Sequence, residues 1–278
     1  MQNKMNKIGF LHVPKCAGSA LNQSIFDALD QQPFHVSKVL NRDTTEVIKN
    51  RRTAIWEGSL PFALACNASY VPGHISYSDF KKLKRNFIFA ALRDPRKRII
   101  SVYTYAVKRG NSEKVVRNFP SLKKYASMGF VEFMDYRKPE NSMAGRLLRD
   151  IPEYNRLYEN KDWSISDQEL NRIIEDGLRR LNVIYACSNQ EILDDLYFRG
   201  LIPKAKEVWK NPSQGIVEFG HLGTRKEFLE IINRATWQDV LVYQAAYKLF
   251  PETVRTPLAS DSEILSEVEN RFRVKFAT

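Results

Sequence analysis

The chain has 278 residues, 43% of them hydrophobic and 27% charged, which is the composition of a globular protein and excludes an intrinsically disordered one. Its 43 Lys and Arg residues outnumber 32 Asp and Glu residues, and the net charge of +11 indicates an anionic partner such as a nucleotide, nucleic acid, acidic glycan or membrane surface. Three distant cysteines and four histidines without metal-ligand spacing argue against a disulfide framework and a metal site.

The sequence carries no sign of a membrane segment or an export signal. No apolar run approaches the roughly 20 residues that a membrane-spanning helix needs. The first strand-like run begins at residue 8, which leaves no room for the apolar core of a signal peptide. We therefore expect a cytoplasmic protein without a membrane span.

Short apolar runs alternate with helical periodicity along the chain. The runs predict buried strands at residues 8–13, 53–56, 69–71, 86–92 and 181–186. After the first run, Leu21, Ile25 and Leu29 recur at the spacing of a helix. Strands that alternate with helices in this way predict an α/β fold, a three-layer sandwich around a central parallel sheet.

We expect a single domain over residues 1–278, because a chain of this length can form one large α/β domain with an insertion. Residues 111–165 are more polar and contain no clear strand pattern. This stretch is therefore predicted to be a mainly helical insertion that contacts the substrate.

Polar residues before apolar periodic segments predict where several helices begin. Asp94 precedes Pro95 and is expected to cap a helix that runs to about Arg109. Ser166 and Ser188 each stand three residues before a glutamate, the pattern of a capping box. Gly200 suits the end of the second of these helices, and Thr236 is predicted to cap a last long helix at residues 237–250.

A loop of small residues follows the first predicted strand and precedes a helix. Its residues are Pro14, Lys15, Cys16, Ala17, Gly18 and Ser19. Small side chains let the backbone approach a ligand, and a helix N-terminus attracts anions. The lysine precedes the glycine and no GxxxxGK[ST] sequence is present, so the loop is not a Walker A motif. It predicts either a phosphate-binding loop or an ordinary tight turn.

A second basic motif follows the predicted strand at 86–92. Arg93 stands at the end of that strand, where a guanidinium can bind a phosphate through two hydrogen bonds. Ser101 lies about two turns into the following helix and could reach an anion along it. Arg96 and Lys97 are expected to form a solvated basic face.

The two motifs together resemble those of a known family. The pattern P-K-x-x-G-[ST] followed by R-D-P-x-x-R-x-x-S-x-Y is similar to that of the sulfotransferases that use 3′-phosphoadenosine 5′-phosphosulfate (PAPS). Residues 73–80, G-H-I-S-Y-S-D-F, resemble the segment of the catalytic histidine in heparan sulfate 2-O-sulfotransferase and its relatives. Residues 221–226, H-L-G-T-R-K, loosely resemble the basic loop that closes over the cofactor in that branch.

The resemblance implies a P-loop-like sulfotransferase fold and a role for each matching residue. His74 would be the general base, and Lys15 would stabilise the leaving phosphate. The loop from Pro14 to Ser19 would hold the 5′-phosphosulfate, and Arg93 and Ser101 would hold the 3′-phosphate. The remaining implied cofactor contacts are Arg225 and Lys226. The product would be 3′-phosphoadenosine 5′-phosphate (PAP), and no metal is implied.

The sequence departs from the family pattern at three positions. Ala20 stands where a second hydroxyl residue is common, and Cys16 replaces the commoner threonine. Pro72 stands where the glycosaminoglycan enzyme has a second histidine. The last departure weakens the inference that the acceptor is the 2-hydroxyl of a uronic acid.

The acceptor is expected to carry a hydroxyl group and to be a glycan or glycoconjugate. Arg146 and Arg149 lie in the predicted substrate region and either contact an anionic acceptor or form a solvated face. Two other functions stay open at this level. One is a small-molecule or nucleotide kinase, for which a Walker A motif is expected, and this sequence has none. The other is a basic nucleic-acid-binding protein, for which the cluster at 81–85, K-K-L-K-R, is the local signal.

Overall fold

The computed structural model describes residues 6–16, 18–31, 60–110, 112–113, 121–136, 142–208, 222–272 and 276. The strand predicted at 53–56 lies outside these residues. The chain forms two compact units. The first unit comprises residues 1–92, 143–210 and 244–256, and the second comprises 93–142, 211–243 and 257–278. The expectation of one domain with an insertion at 111–165 stays a prediction.

The strands are β1 Ile8–Leu11, β2 Tyr70–Gly73, β3 Phe87–Ala91 and β4 Val183–Tyr185. The helices are α1 Gly18–Ala28, α2 Leu60–Asn67, α3 Tyr77–Lys82, α4 Pro95–Gly110, α5 Ser121–Ala126, α6 Phe130–Tyr136, α7 Met143–Leu148, α8 Pro152–Asn160, α9 Asp167–Leu178, α10 Asn189–Phe198, α11 Arg225–Leu249 and α12 Asp261–Phe272. Among the described helices, none has the length and apolar character needed to cross a membrane.

The four described strands belong to the first unit and form one parallel sheet in the order β2-β1-β3-β4. Parallel strands covered on both faces are apolar throughout, and β1 and β2 are buried along their whole length. The predicted α/β fold with a central parallel sheet is therefore confirmed. β1, β3 and β4 are shorter parts of the predicted runs, whereas β2 begins one residue later and ends two residues later than predicted.

Side-chain alternation along β1 shows which helices cover each face of the sheet. Ile8 and Phe10 point into a cluster with residues of α1 and α10. The helical members of that cluster are Leu21, Ile25, Phe26, Ile192, Leu193 and Leu196. Gly9 points to the opposite face, where a Cβ atom on it would lie 2.8 Å from the ring of Phe80 in α3. Helices therefore lie on both faces of the sheet.

The second unit has an apolar core of its own, formed by α4, α6, α11 and α12. Its buried members include Ile99, Tyr103, Phe130, Phe133, Phe228, Ile232, Ile264 and Val268. Beside this core, Arg98 of α4 and Asp239 of α11 form an ion pair at 3.6 Å, and both side chains are almost completely buried. Breaking such a pair from one side leaves a buried charge and is strongly destabilising.

The start of the longest helix differs from the prediction. Thr236 does not cap a helix, because α11 begins at Arg225 and runs through it. The Thr236 hydroxyl instead donates to the carbonyl of Ile232 one turn earlier, at 2.8 Å. The capping residue is Thr224, whose hydroxyl accepts from the Glu227 amide while the Glu227 carboxylate accepts from the Thr224 amide. The other predicted caps, Ser166 and Ser188, are confirmed.

Asp94 caps α4 as predicted and also fastens a distant segment. Its Oδ1 atom accepts from the amides of Arg96 and Lys97, at 2.8 and 3.1 Å. Its Oδ2 atom accepts from the amide of Ala259 at 2.8 Å. The Arg96 side chain is buried and donates to Asp261 and to the Ala259 carbonyl, so it does not belong to a solvated basic face.

We expect Asp94→Ala to lower the free energy of unfolding by about 2–4 kcal/mol, because it removes a helix cap and leaves the buried Ala259 amide without an acceptor. Ser166→Ala is the matched control, since it removes an exposed cap with one described side-chain bond and should cost about 1 kcal/mol. Urea unfolding followed by circular dichroism measures both. If both variants lose the same free energy of unfolding, the bond from Asp94 to the Ala259 amide does not stabilise the protein.

Candidate active site

The order of the strands places their carboxyl ends in position to bind a ligand. β1 lies between β2 and β3, and the chain passes from β2 across β1 to β3. Ligands of open α/β sheets bind at the carboxyl ends of strands where the order reverses in this way. The small-residue loop begins three residues after β1, His74 directly follows β2, and Arg93 comes two residues after β3 in the sequence.

The loop after β1 has an unusual backbone at Lys15. The φ angle of Lys15 is +68°, in the left-handed region that residues with a Cβ atom rarely occupy. Such a conformation costs about 1–3 kcal/mol, and Asp30, Lys84 and Lys161 adopt it as well. Cys16 is buried, Lys15 is half-buried and Ser19 is exposed, whereas Ala17 lies outside the described residues.

The loop leads into the start of α1, which favours an anion. The first four amides of a helix have no partner within the helix, and the helix dipole is positive at this end. The first turn of α1 contains no acidic residue. The N-terminus of α1 therefore has no carboxylate in its first turn. Lys15, three residues before the helix, adds a positive charge.

Gly18, the first residue of α1, packs directly against the ring of His12. A Cβ atom on Gly18 would overlap the Nε2, Cδ2 and Cε1 atoms of that imidazole. The ring is 8% exposed and stacks on Phe10 with a centroid distance of 5.3 Å. Glycine is therefore required at position 18 because it lets the backbone lie close to the His12 ring. This requirement is separate from any need for the backbone to approach a ligand.

His12 also contacts His74, the predicted general base. The two imidazoles are stacked, with centroids 4.5 Å apart and planes at 25°. The Nδ1 atom of His74 lies 2.6 Å from the carbonyl oxygen of His12. Because a carbonyl only accepts hydrogen bonds, Nδ1 carries the proton, and the neutral ring has its lone pair on Nε2. This tautomer allows Nε2 to accept a proton.

A second set of contacts fixes the segment around His74. Arg146 of α7 donates from Nη1 to the carbonyl of His74 at 2.8 Å. Asp150 accepts from the amide of Ser78 at 2.8 Å and from Arg180 at 2.8 Å. The sequence suggested Arg146 as a contact for the acceptor substrate. In the structure its guanidinium holds the backbone of His74.

Arg93, Lys97 and Ser101 recur at four-residue intervals at the start of α4 and along it. All three side chains are partly exposed, whereas Arg96 and Arg98 between them are buried. The carboxylate of Glu267 in α12 lies 3.4 Å from Arg93 and 3.8 Å from Lys97. Lys97, which sequence reasoning assigned to a solvated face, therefore shares a carboxylate with Arg93, one member of the predicted pair.

The late basic residues lie on a helix. Arg225 and Lys226 form the first turn of α11, and His221 lies outside the described residues. Arg225 pairs with Glu269 at 2.8 Å, and Lys226 lies 3.9 Å from Glu230. Both side chains are well exposed. Their role in binding a cofactor stays a prediction.

The basic cluster at 81–85 is divided by burial. Lys81, Lys82 and Lys84 are exposed, whereas Arg85 is 1% exposed and donates to the carbonyls of Cys66 and Ala68. Burial lowers the pKa of Arg85 to about 10. Arg85 thus binds the end of α2 and does not contribute to a continuous basic surface.

Among the described residues, the cysteines and acidic side chains do not form a metal site, and one cysteine has a raised pKa. Burial, and secondarily Glu191, raises the pKa of the Cys187 thiol to about 11, so it is protonated near neutral pH. Cys16 is buried in the loop after β1. In the part of the chain that the structure describes, no group of three His, Cys, Asp or Glu residues is arranged to hold a metal ion.

Comparison with known families gives one match. A model of the sulfotransferase family matches residues 1–173, more than half of the 278 residues. The matched region contains the loop after β1, His74 and the Arg93–Ser101 motif. Neither the comparison with curated proteins nor that with solved structures gave a match. From the matched region and its parallel α/β sheet we conclude that the chain belongs to the sulfotransferase family.

Proposed function

We propose that the protein transfers a sulfuryl group from PAPS to a hydroxyl of a glycan or glycoconjugate. The observation that carries this proposal is the contact of one side chain, His12, with both Gly18 and His74. His12 thereby brings the start of a helix, which attracts anions, close to an imidazole that can accept a proton. Both lie beyond the carboxyl ends of the strands. Membership of the sulfotransferase family supplies the class of reaction.

The residues after β1 and β3 fit the anionic groups of PAPS. The start of α1 together with Lys15 and Ser19 suits the 5′-phosphosulfate, because it combines a helix dipole, an ammonium and a hydroxyl. Arg93, before the start of α4, and Ser101, within that helix, would suit the 3′-phosphate. When bound, PAPS would supply the sulfuryl group and a phosphate leaving group. PAP would be the product.

His74 and Lys15 would carry the chemical step. His74 would take the acceptor's hydroxyl proton at Nε2 while the acceptor oxygen bonds to sulfur. Lys15 would stabilise the negative charge left on the bridging phosphate oxygen as its bond to sulfur breaks. Nδ1 would keep its bond to the His12 carbonyl throughout, and Arg146 would hold the His74 backbone in place. In-line transfer would thus use one base and one cation.

The nature of the acceptor follows from charge and resemblance. The net charge of +11 favours an anionic acceptor. Lys81, Lys82 and Lys84 are exposed at the end of α3 and just beyond it, in the segment that follows His74. An acidic glycan would suit this basic surface. Pro72, in place of a second histidine, leaves the sulfated position open.

Binding of PAP tests the proposed donor site. We expect isothermal titration calorimetry to give a micromolar dissociation constant for PAP, with 5′-AMP and ATP much weaker. Arg93→Ala should weaken PAP by at least tenfold, because it removes a charge-assisted contact with the 3′-phosphate, and should change 5′-AMP little. PAP binding no tighter than 5′-AMP would overturn the donor assignment.

Replacement of His74 tests the proposed base. His74→Gln should lower kcat by about 10²- to 10⁴-fold, the usual contribution of a general base, in an assay of sulfate transfer to a glycan acceptor. The dissociation constant for PAP should stay within about threefold of wild type, which also shows that the variant is folded. A variant with near-normal kcat would assign the base to another residue.

A methyl group at Gly18 tests the contact with His12. Gly18→Ala should weaken PAP binding and lower kcat by at least tenfold, because the new methyl overlaps the imidazole. The control is Gly129→Ala, whose Cβ would meet no atom within 4 Å.

The double variant Gly18→Ala, His12→Ala should recover part of the PAP affinity, since the overlap is gone. If the loss from Gly18→Ala is equally large with and without the His12 ring, the contact does not explain the requirement for glycine. Thermal unfolding of each variant separates a loss of folding from a loss of binding.

A further inference from the structure

The carboxylate of Glu267 lies against two cations of the segment assigned to the 3′-phosphate. One oxygen of Glu267 is 3.4 Å from Nη2 of Arg93, and the other is 3.8 Å from Nζ of Lys97. Lys97 and Ser101 are one turn apart on α4, and Arg93, which precedes the Asp94 cap, shares Glu267 with Lys97. The positive charge of the two cations is therefore partly neutralised by the protein's own carboxylate.

Glu267 is held in this position by the packing of α12. Ile264 and Val268 are completely buried in the core of the second unit, and Glu267 shares their side of the helix. The start of α12 is fastened to α4 by the 2.6 Å ion pair between Asp261 and Arg96. These contacts position the backbone of Glu267, and rotation of its side chain would carry the carboxylate away from Arg93 and Lys97.

The pairing of Glu267 is loose and open to solvent. Tight charge-assisted bonds measure about 2.7–2.9 Å, and both distances to Glu267 exceed that range. The side chains of Arg93 and Lys97 are 34% and 29% exposed. A dissolved anion can therefore reach these cations and replace the carboxylate, which the buried pair of Arg98 and Asp239 would not allow.

We propose that Glu267 is the resident counter-ion of Arg93 and Lys97 and that it sets the selectivity of this site for nucleotides with a 3′-phosphate. This inference rests on the proposed function. A phosphate monoester carries close to two negative charges and three acceptor oxygens, so it can satisfy both cations better than one carboxylate. A 3′-hydroxyl carries no charge and cannot displace Glu267. Lys97 is then a second cation of the 3′-phosphate site.

The test is calorimetric titration of the full-length protein with PAP and with 5′-AMP. Glu267→Gln should tighten PAP binding about five- to tenfold, because the competing negative charge is removed while the shape of the side chain is kept. Binding of 5′-AMP should change less than twofold. The control is Glu132→Gln, which removes an exposed carboxylate in α6 and should leave both affinities unchanged.

Lys97→Ala tests the second cation and should weaken PAP binding about fivefold with little effect on 5′-AMP. If wild type binds PAP through Arg93 but Glu267→Gln binds it equally or more weakly, this inference is wrong and the proposed function stands. A gain for PAP and 5′-AMP alike would also overturn it, because the effect would not involve the 3′-phosphate. If neither wild type nor Glu267→Gln binds PAP, both proposals are wrong.

Discussion

The imidazole of His12 occupies the space where β1 passes into its loop, and the loop and His74 are both positioned against it. Gly18 lies against the edge of the ring, and His74 lies against its face. Phe10 supports the other face and ties the ring to the sheet. The backbone of His12 takes part as well, because its carbonyl determines which nitrogen of His74 carries the proton. The end of one buried strand thus sets the positions of the loop and of the proposed base.

The starts of α1 and α4 resemble each other in sequence position but differ in electrostatics. Each follows a central strand of the sheet, yet α4 is capped by the carboxylate of Asp94, which engages the amides of Arg96 and Lys97. The first turn of α1 has no acidic residue. An anion near α1 can interact with backbone amides, whereas an anion near α4 depends on side chains such as Arg93.

Burial divides the basic residues into structural and available groups, and sequence alone could not do so. Arg85, Arg96 and Arg98 occur in runs of charge that usually indicate a solvated surface, yet all three are buried. Each has partners distant in sequence, such as Asp239 for Arg98, 141 residues further along the chain. Arg93 keeps a partly exposed side chain in the same run. Which cation can meet a ligand is decided by packing.

The sequence by itself determined the four described strands, the starts of α4, α9 and α10 and the loop after β1, because hydrophobic period and capping act over a few residues. The cap assigned to Thr236 was wrong, since a threonine hydroxyl can also bond to the preceding turn inside a helix. Only the tertiary structure decided that His12 contacts His74, that Arg146 holds its backbone and that Glu267 faces Arg93. These contacts join residues 62 to 174 positions apart, and only the arrangement of strands and helices brings such residues together.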